Sequence, residues 1–323
     1  MGEPTLSIIM PNYNHAHFVG EALEAILAQS FRPLEVIVVD DGSTDNSISV
    51  IDQFAKRDPI VRLLKNDKNM GVEFSVNRGL EHSSGSYLYF PAADDRVMLG
   101  FFEKSMKLLA EYPQAGLSFS ESAILCGQTG AIREIRLRLS DQPAYYTPTE
   151  FSKLIYGRGM LFAGNSSILK RTAFIEAGGY KPELRWHCDG FTCLVMALRY
   201  GVVHIPEPLA AFRVVPDSYS HQRLQNMDAE REVLRNMLCL LDSPDYQDVL
   251  PLIKKTGFVG AYGRQMVWTL LRDPIHWGYF STGFISLVLR NGTVYFLKKL
   301  GFGYLYRKSG LKYLSQIMHD VSK

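Results

Sequence analysis

The feature that most constrains this chain is a regular alternation, over its first 120 residues, of short apolar runs with stretches of helical spacing. Residues 6–10 (LSIIM) are apolar up to Pro11, and residues 34–39 (LEVIVV) are largely apolar up to Asp40-Asp41-Gly42-Ser43, so both read as buried strands. Between them Phe18, Ala22, Ala25, Ile26 and Gln29 recur at helical spacing, as do Ile48, Ile51, Phe54 and Ala55 after Asp45. The pattern then repeats, with strands expected at 61–64, 87–90 and 117–120 and helices at 72–80 and 101–112. Such alternation predicts an α/β fold, a mostly parallel sheet flanked by helices. Ligands of open sheets bind beyond the carboxyl ends of the strands, because loops and helix N-termini converge there. Here those ends carry residues 11–14, 40–45 and 92–95.

Farther along, residues 128–164 lose the alternation, and Pro143, Pro148, Gly157 and Gly159 mark a looped insertion. Periodicity returns at 166–169 and 191–200. A helix over 228–241, with Val233, Leu234, Met237 and Leu241 on one stripe, opens a C-terminal helical region. The expected division is a first domain at 1–222 and a basic, aromatic-rich helical region at 223–323, which suits a chain of 323 residues. The N-terminus lacks the basic flank and apolar length of a signal peptide. The greasiest late stretch, 279–300, is broken by Arg290, Asn291 and Gly292, short of the roughly 20 apolar residues a spanning helix needs. A cytoplasmic location is therefore expected. Cys126, Cys188, Cys193 and Cys239 form no CxxC pair and read as free thiols.

The charge is divided unevenly. Residues 251–323 hold eleven Lys and Arg against Asp273 and Asp320, a surplus of nine, so a chain of net +2 leaves −7 on residues 1–250. An acidic body argues against a nucleic-acid partner. The basic end also holds thirteen aromatics, among them Trp268, Trp277, Tyr295, Phe296, Tyr304 and Tyr306. Basic heads with amphipathic rings suit the headgroup zone of an anionic membrane, which points to peripheral attachment at the inner face. Packing on the first domain or a homo-oligomer contact through 251–323 explains the same composition.

Three acidic clusters follow expected strands. In Asp40-Asp41-Gly42-Ser43-Thr44-Asp45, Gly42 suits a tight turn and Ser43 or Asp45 a helix cap. Two adjacent carboxylates exceed what capping needs and repel one another unless a donor or cation sits between them. Asp94-Asp95 suits a hard divalent cation, because Mg and Mn take oxygen ligands and bind through one or two carboxylates plus phosphates; a turn before Phe101 is the plainer reading. Asp189, in Trp186-His187-Cys188-Asp189-Gly190, stands where either a base or a helix cap would. His15 and His17 have no third ligand at zinc spacing, and no GxGxxG or GxxxxGK[ST] occurs.

Together these pieces resemble the family 2 glycosyltransferases, whose nucleotide-sugar-binding domain has the GT-A fold. The likeness runs through 7–14 (SIIMPNYN), 27–45 (LAQSFRPLEVIVVDDGSTD), 69–79 (NMGVEFSVNRG), 85–95 (GSYLYFPAADD), 164–167 (GNSS) with Gly178-Gly179-Tyr180, and 186–191 (WHCDGF), in that order. It implies an inverting transfer of a sugar from a nucleotide sugar, typically a UDP-sugar, to the hydroxyl of a glycan or lipid-linked acceptor in polysaccharide, lipopolysaccharide or other glycan synthesis. By the same likeness Asp41 binds the base, and Pro11, Tyr13, Asn14 and Asp40 shape the nucleoside pocket. Asp95 holds a Mn or Mg ion on the diphosphate, and Asp94 meets the ribose or sugar. Asp189 is then the general base. Of the remaining candidates, Asn77 reads as nucleotide-sugar-binding, His187 as a contact to acceptor or diphosphate or as a mere orienter of Asp189 or a solvent-facing residue, Trp186 as a stack on a sugar face or as core packing, and Asn165 as a buttress of the sugar pocket or as loop structure. Three positions depart from the family pattern: Ala92 replaces a frequent Asp, Val215 a metal-directed His and Val76 a common Arg. The departures leave a catalytically inactive nucleotide-sugar binder as the alternative. A nucleotidyltransferase would want a Gly-rich loop where this chain has PNYNHAHF.

Overall fold

A computed structural model describes residues 3–127, 129–159, 162–214 and 226–299, with only the backbone at 292–299. The chain forms two compact units, one of residues 1–146 and 162–213 and the other of 147–161 and 214–323. Expectations resting on Val215, on the segment 215–225 and on Tyr295, Phe296, Tyr304 and Tyr306 lie outside the described residues or side chains.

The first unit opens with β1 (Leu6–Asn12), α1 (Val19–Leu27), β2 (Glu35–Asp40), α2 (Ser47–Arg57), β3 (Val61–Lys65), α3 (Val72–Glu81), β4 (Tyr87–Tyr89), β5 (Arg96–Val97) and α4 (Phe101–Glu111). Then come β6 (Leu117–Cys126), β7 (Ile132–Ile135), β8 (Ala144–Tyr146), α5 (Pro148–Leu154, in the second unit), β9 (Ser167–Lys170), α6 (Arg171–Glu176), α7 (Cys188–Tyr200) and β10 (Val202–Val214). Every β2 residue is buried, as a strand covered on both faces requires. Leu6, Ile8, Met10, Val36 and Val38 form one core with Val19, Leu23 and Ile26 of α1 and Phe101, Phe102 and Met106 of α4.

The ten-stranded sheet runs β3-β2-β1-β4-β9-β6-β10-β5, with β7 beside β6 and β8 beside β10. The parallel expectation describes its first part, where β1 pairs in parallel with β2 and β4, and β2 with β3. Beyond β4, β9 pairs antiparallel with β4 and β6, β7 with β6, and β5 and β8 with β10, so the whole sheet is mixed. The supposed looped insertion holds β7, β8 and α5, and strand β10 follows α7 and runs as far as Val214. Their alternation is weak in sequence because these strands are short or, in β10, interrupted by half-exposed Pro206, Glu207 and Pro208.

The second unit adds α8 (Met227–Asp242), α9 (Leu250–Thr256), α10 (Gly263–Arg272) and α11 (Thr282–Lys299). Helix α5 starts with a capping box, in which Glu150 N–H donates to Thr147 Oγ1 and Thr147 N–H to Glu150 Oε2. It packs on α9, and α9 on α11, while α8 packs on α10. No helix among the described residues is long and apolar enough to cross a membrane.

Candidate active site

The carboxyl ends of β1 and β2 are locked to each other before any ligand is considered. Asp40 is fully buried. Its Oδ1 accepts Ser43 N–H at 2.9 Å, and its Oδ2 accepts Asn12 Nδ2 at 2.8 Å and Ser43 Oγ at 2.6 Å. Asp41 turns the other way, its Oδ1 accepting Asn66 Nδ2 at 2.6 Å and Met70 N–H at 2.9 Å, its Oδ2 Gly71 N–H at 2.8 Å. The repulsion expected of adjacent carboxylates is thus relieved by protein donors on opposite sides, and no cation is required. An ionised carboxylate has about four acceptor positions. Three on Asp41 are filled, which leaves room for one further N–H. Gly42, which follows Asp41, has φ 75°, and a Cβ there would lie 2.7 Å from Lys68 backbone atoms.

Asn66 was not singled out in the sequence. Its amide also donates to Ser75 Oγ at 3.0 Å, and its Oδ1 accepts from Arg78, whose guanidinium donates to Lys65 O at 2.6 Å as well. Arg78 therefore fixes the orientation of the amide that holds Asp41. Asn77 lies exposed, off the α3 face that carries Ser75 and Arg78, and the structure does not bring it to Asp41. Asn14 sits in the left-handed region at φ 54°, its N–H on Ser43 Oγ at 2.9 Å and its Oδ1 on Thr44 N–H at 2.8 Å, so it ties two loops together. Tyr13 beside it is 41% exposed and Pro11 half-buried.

Past β4, Asp94 is buried and Asp95 half-buried. Burial raises the Asp94 carboxyl above its ordinary range, opposed by the charges of His15 and Arg213. Asp95 is raised further, by desolvation first and then by Asp94, while Arg213 N–H and the Asn165 side chain pull it down. Arg213, also missed in the sequence reading, donates from its backbone to Asp95 Oδ1 at 3.1 Å, from Nε to Asp94 O at 2.8 Å and from a terminal nitrogen to Glu21 at 2.7 Å. Its guanidinium stands 4.6 Å over the Phe18 ring. Among the described residues no three His, Cys, Asp or Glu side chains gather for a metal. Two adjacent, desolvated carboxylates nevertheless fit a hard divalent cation that takes its remaining oxygens from phosphate and water.

The opposite wall begins at β9, which pairs with β4. Just before it a single turn, Gly164–Ser166, faces both carboxylate groups. Asn165 O accepts the Tyr89 hydroxyl at 2.8 Å. Its Nδ2 is buried with no partner in normal hydrogen-bond geometry, although the side chain favours the Asp95 charge. Gly164 N–H donates to Asp189 Oδ2 at 3.0 Å, and Gly190 N–H to Asp189 Oδ1 at 2.7 Å. Asp189 lies in the first turn of α7, so its negative charge faces the positive end of the helix dipole. Desolvation still raises its carboxyl, against those two N–H groups and His187. Phe90, Phe174 and Tyr180, with centroids 5.1–5.2 Å apart, form an aromatic cluster, and the Tyr180 hydroxyl is close enough to feel the Asp189 charge. His187 is buried and Trp186 half-buried, their rings 6.4 Å apart. Just before them Arg185 sits at φ 44°, ψ −123°, a non-glycine strain of about 1–3 kcal/mol of the kind found at functional sites. Burial and the Asp189 charge push the Cys188 thiol well up, so it is no thiolate nucleophile.

With this arrangement in view, the comparisons with known proteins are decisive for the family. Residues 7–173, just over half the chain, match Glycosyl transferase family 2. The chain belongs to that family. Among curated relatives, the Escherichia coli K12 uncharacterized glycosyltransferase YibD is 38% identical over 106 residues, 33% of this chain and 30% of the relative. GlyA, a glycosyltransferase of Streptococcus pneumoniae, is 32% identical over 36% of this chain and 17% of its own. The chain thus aligns with under half the length of these relatives. Among solved structures, S. aureus TarS 1–349 in complex with UDP-GlcNAc overlays with a TM-score of 0.63 at 15% identity, over 80% of this chain and 72% of that one. The mannosyltransferase PcManGT of Pyrobaculum calidifontis, in complex with GDP-Man and Mn2+, gives 0.58 at 18% identity over 98% and 87%. These likenesses establish the GT-A-like fold.

Proposed function

We propose that the chain is an inverting glycosyltransferase that moves a sugar from a nucleotide sugar, a UDP-sugar in the first instance, to the hydroxyl of a glycan or lipid-linked acceptor in envelope or other polysaccharide synthesis. The observation that carries this reading is the Gly164–Ser166 turn: Gly164 N–H holds the Asp189 carboxylate, and the next side chain, Asn165, favours the charge on Asp95. A base and a diphosphate-binding carboxylate that both meet one turn suit an in-line displacement.

Each residue then has a task. Asp41 has one open acceptor position for an imino N–H, such as uracil presents, and Tyr13 offers an exposed ring beside it. Asp95, with Asp94 beside it, would hold a divalent cation, which when bound offsets charge on the leaving diphosphate. Asn165 Nδ2 supplies a donor to the donor's sugar or phosphate oxygens. Asp189 accepts the proton of the acceptor hydroxyl as that oxygen bonds the anomeric carbon, and the electron pair of the breaking carbon–oxygen bond leaves with the diphosphate. A carboxyl raised by burial is the stronger base for this step. One base with in-line attack gives inversion without a covalent intermediate. Asp40, fully buried, and Asn14, which ties two loops together, act by shaping the pocket.

The test is turnover of a donor panel with Mn against binding of the same donors. Transfer or slow hydrolysis of one UDP-sugar supports the proposal. Tight binding with no turnover on any donor and acceptor favours the inactive binder, the alternative that Ala92 raises by standing where relatives have a frequent Asp.

A further inference from the structure

Helix α10 in the second unit turns its apolar stripe both ways. Met266, Thr269 and Leu270 are buried, as a surface helix requires. The opposite face carries Arg264, Trp268, Leu271 and Arg272, all exposed and spaced i, i+4, i+7 and i+8, so they share one side of the helix. Trp268 is 54% exposed and Leu271 52%. A soluble helix places polar residues there.

The turn that follows extends the same exposure. Residues Pro274–Tyr279 form a short 3-10 helix in which every third side chain is buried. His276 and Tyr279 point in and are buried, with His276 Nδ1 2.9 Å from Asp242 Oδ2 and the Tyr279 hydroxyl donating to Asp242 Oδ1 at 2.8 Å. Ile275 is 80% exposed and Trp277 54%. Asp242 of α8 thus pins the turn from behind and holds two large apolar side chains in water.

Basic side chains line this ridge. Arg264 and Arg272 are exposed on α10, the Arg272 guanidinium standing 5.7 Å from the Trp268 ring centroid. Lys254 Nζ sits 4.6 Å over the Tyr279 ring, and Lys255 is exposed next to it in sequence. The acid nearest in sequence, Asp273, is spent locally, its carboxylate accepting Ile275 N–H at 3.3 Å and lying 3.5 Å from His276 Nε2.

We propose that Trp268, Leu271, Ile275 and Trp277, ringed by Arg264, Arg272 and Lys254, form a docking surface for an anionic lipid bilayer. Two tryptophans and two branched aliphatics reach the depth of the headgroup–acyl boundary, and the guanidinium and ammonium groups meet anionic phosphates. The charge selects lipid as the occupant over a second copy of this face, since two such faces would bring like charges together. The inference stands on the second unit alone and does not depend on the donor chemistry proposed above.

The test is co-sedimentation of the full chain with vesicles of phosphatidylcholine alone or with about one part in four of phosphatidylglycerol, at roughly 50 and 500 mM salt. Expected is partition onto the anionic vesicles that weakens with salt and falls at least tenfold in Trp268→Gln/Ile275→Gln/Trp277→Gln. Ile275→Asp, at the most exposed of these positions, is the second variant and loses partition in the same way. Thermal midpoint and UDP affinity should be unchanged in both. The proposal is overturned if wild-type chain stays in the supernatant with anionic vesicles. It is equally overturned if the variants sediment like wild type, or if sedimentation velocity shows a dimer that the variants lose while no vesicle binding occurs.

Discussion

Replacing Gly164 by alanine perturbs Asp189 without touching it. A Cβ on Gly164 would lie 2.8 Å from Asp189 Oδ2, 3.2 Å from its Cβ and 3.4 Å from its Cγ. The first distance is below any ordinary carbon–oxygen contact, so the carboxylate must move by roughly half an ångström or rotate off its two N–H donors. Gly164 has an ordinary backbone conformation, which alanine adopts without strain, so the effect is confined to that contact. Overpacking of this kind costs about 1–3 kcal/mol of stability. Misplacing a catalytic group by about 1 Å can cost roughly 100-fold in rate, so a drop in kcat of about 10- to 100-fold is expected. Donor binding at Asp41 lies on other loops and should change little. Calorimetric titration of UDP, thermal melting and steady-state kinetics on the same preparation separate these effects. Wild-type kcat in a Gly164→Ala protein would show that Asp189 is not where the proton goes.

Three further outcomes follow from the same geometry. Asp189→Asn should lower kcat by roughly 100-fold or more while UDP affinity stays within about twofold, and near-normal turnover on the true acceptor would assign the base elsewhere. The raised Asp189 carboxyl sets the pH dependence: the base works only when ionised, so kcat should fall as pH drops through an apparent pKa above the ordinary aspartate value of about 3.9. That acid limb should be missing from whatever activity Asp189→Asn retains. Arg78→Met should free the Asn66 amide to rotate and weaken UDP binding by roughly three- to tenfold, about 1 kcal/mol, with kcat at saturating donor preserved; unchanged affinity would mean that Asn66 holds Asp41 unaided.

What the sequence made legible follows from the range of the forces involved. The β1–α4 region could be read because two-faced burial leaves continuous apolar runs such as that of β2, and the strand-end rule then put Asp41 and Asp95 at the carboxyl ends of strands, while the role of Asp189 came from the family resemblance. The antiparallel strands β7, β8 and β10 could not, because short or interrupted strands leave little alternation to count. The separate donors of Asp40 and Asp41 were hidden for a different reason. Two carboxylates adjacent in sequence look like one charge cluster, but successive side chains at a strand end point to opposite faces, so Asp40 and Asp41 met separate donors. Asn66 and Arg213 escaped notice because each acts through a contact made across 25 residues or more, Asn66 on Asp41 and Arg213 on Asp95. A polar residue's own neighbours in sequence say nothing about such a partner. One signal was available: an Asn in a loop just after a buried strand, as Asn66 follows β3, must place a buried amide somewhere, and a carboxylate at the end of the adjacent strand is the nearest acceptor that parallel pairing allows.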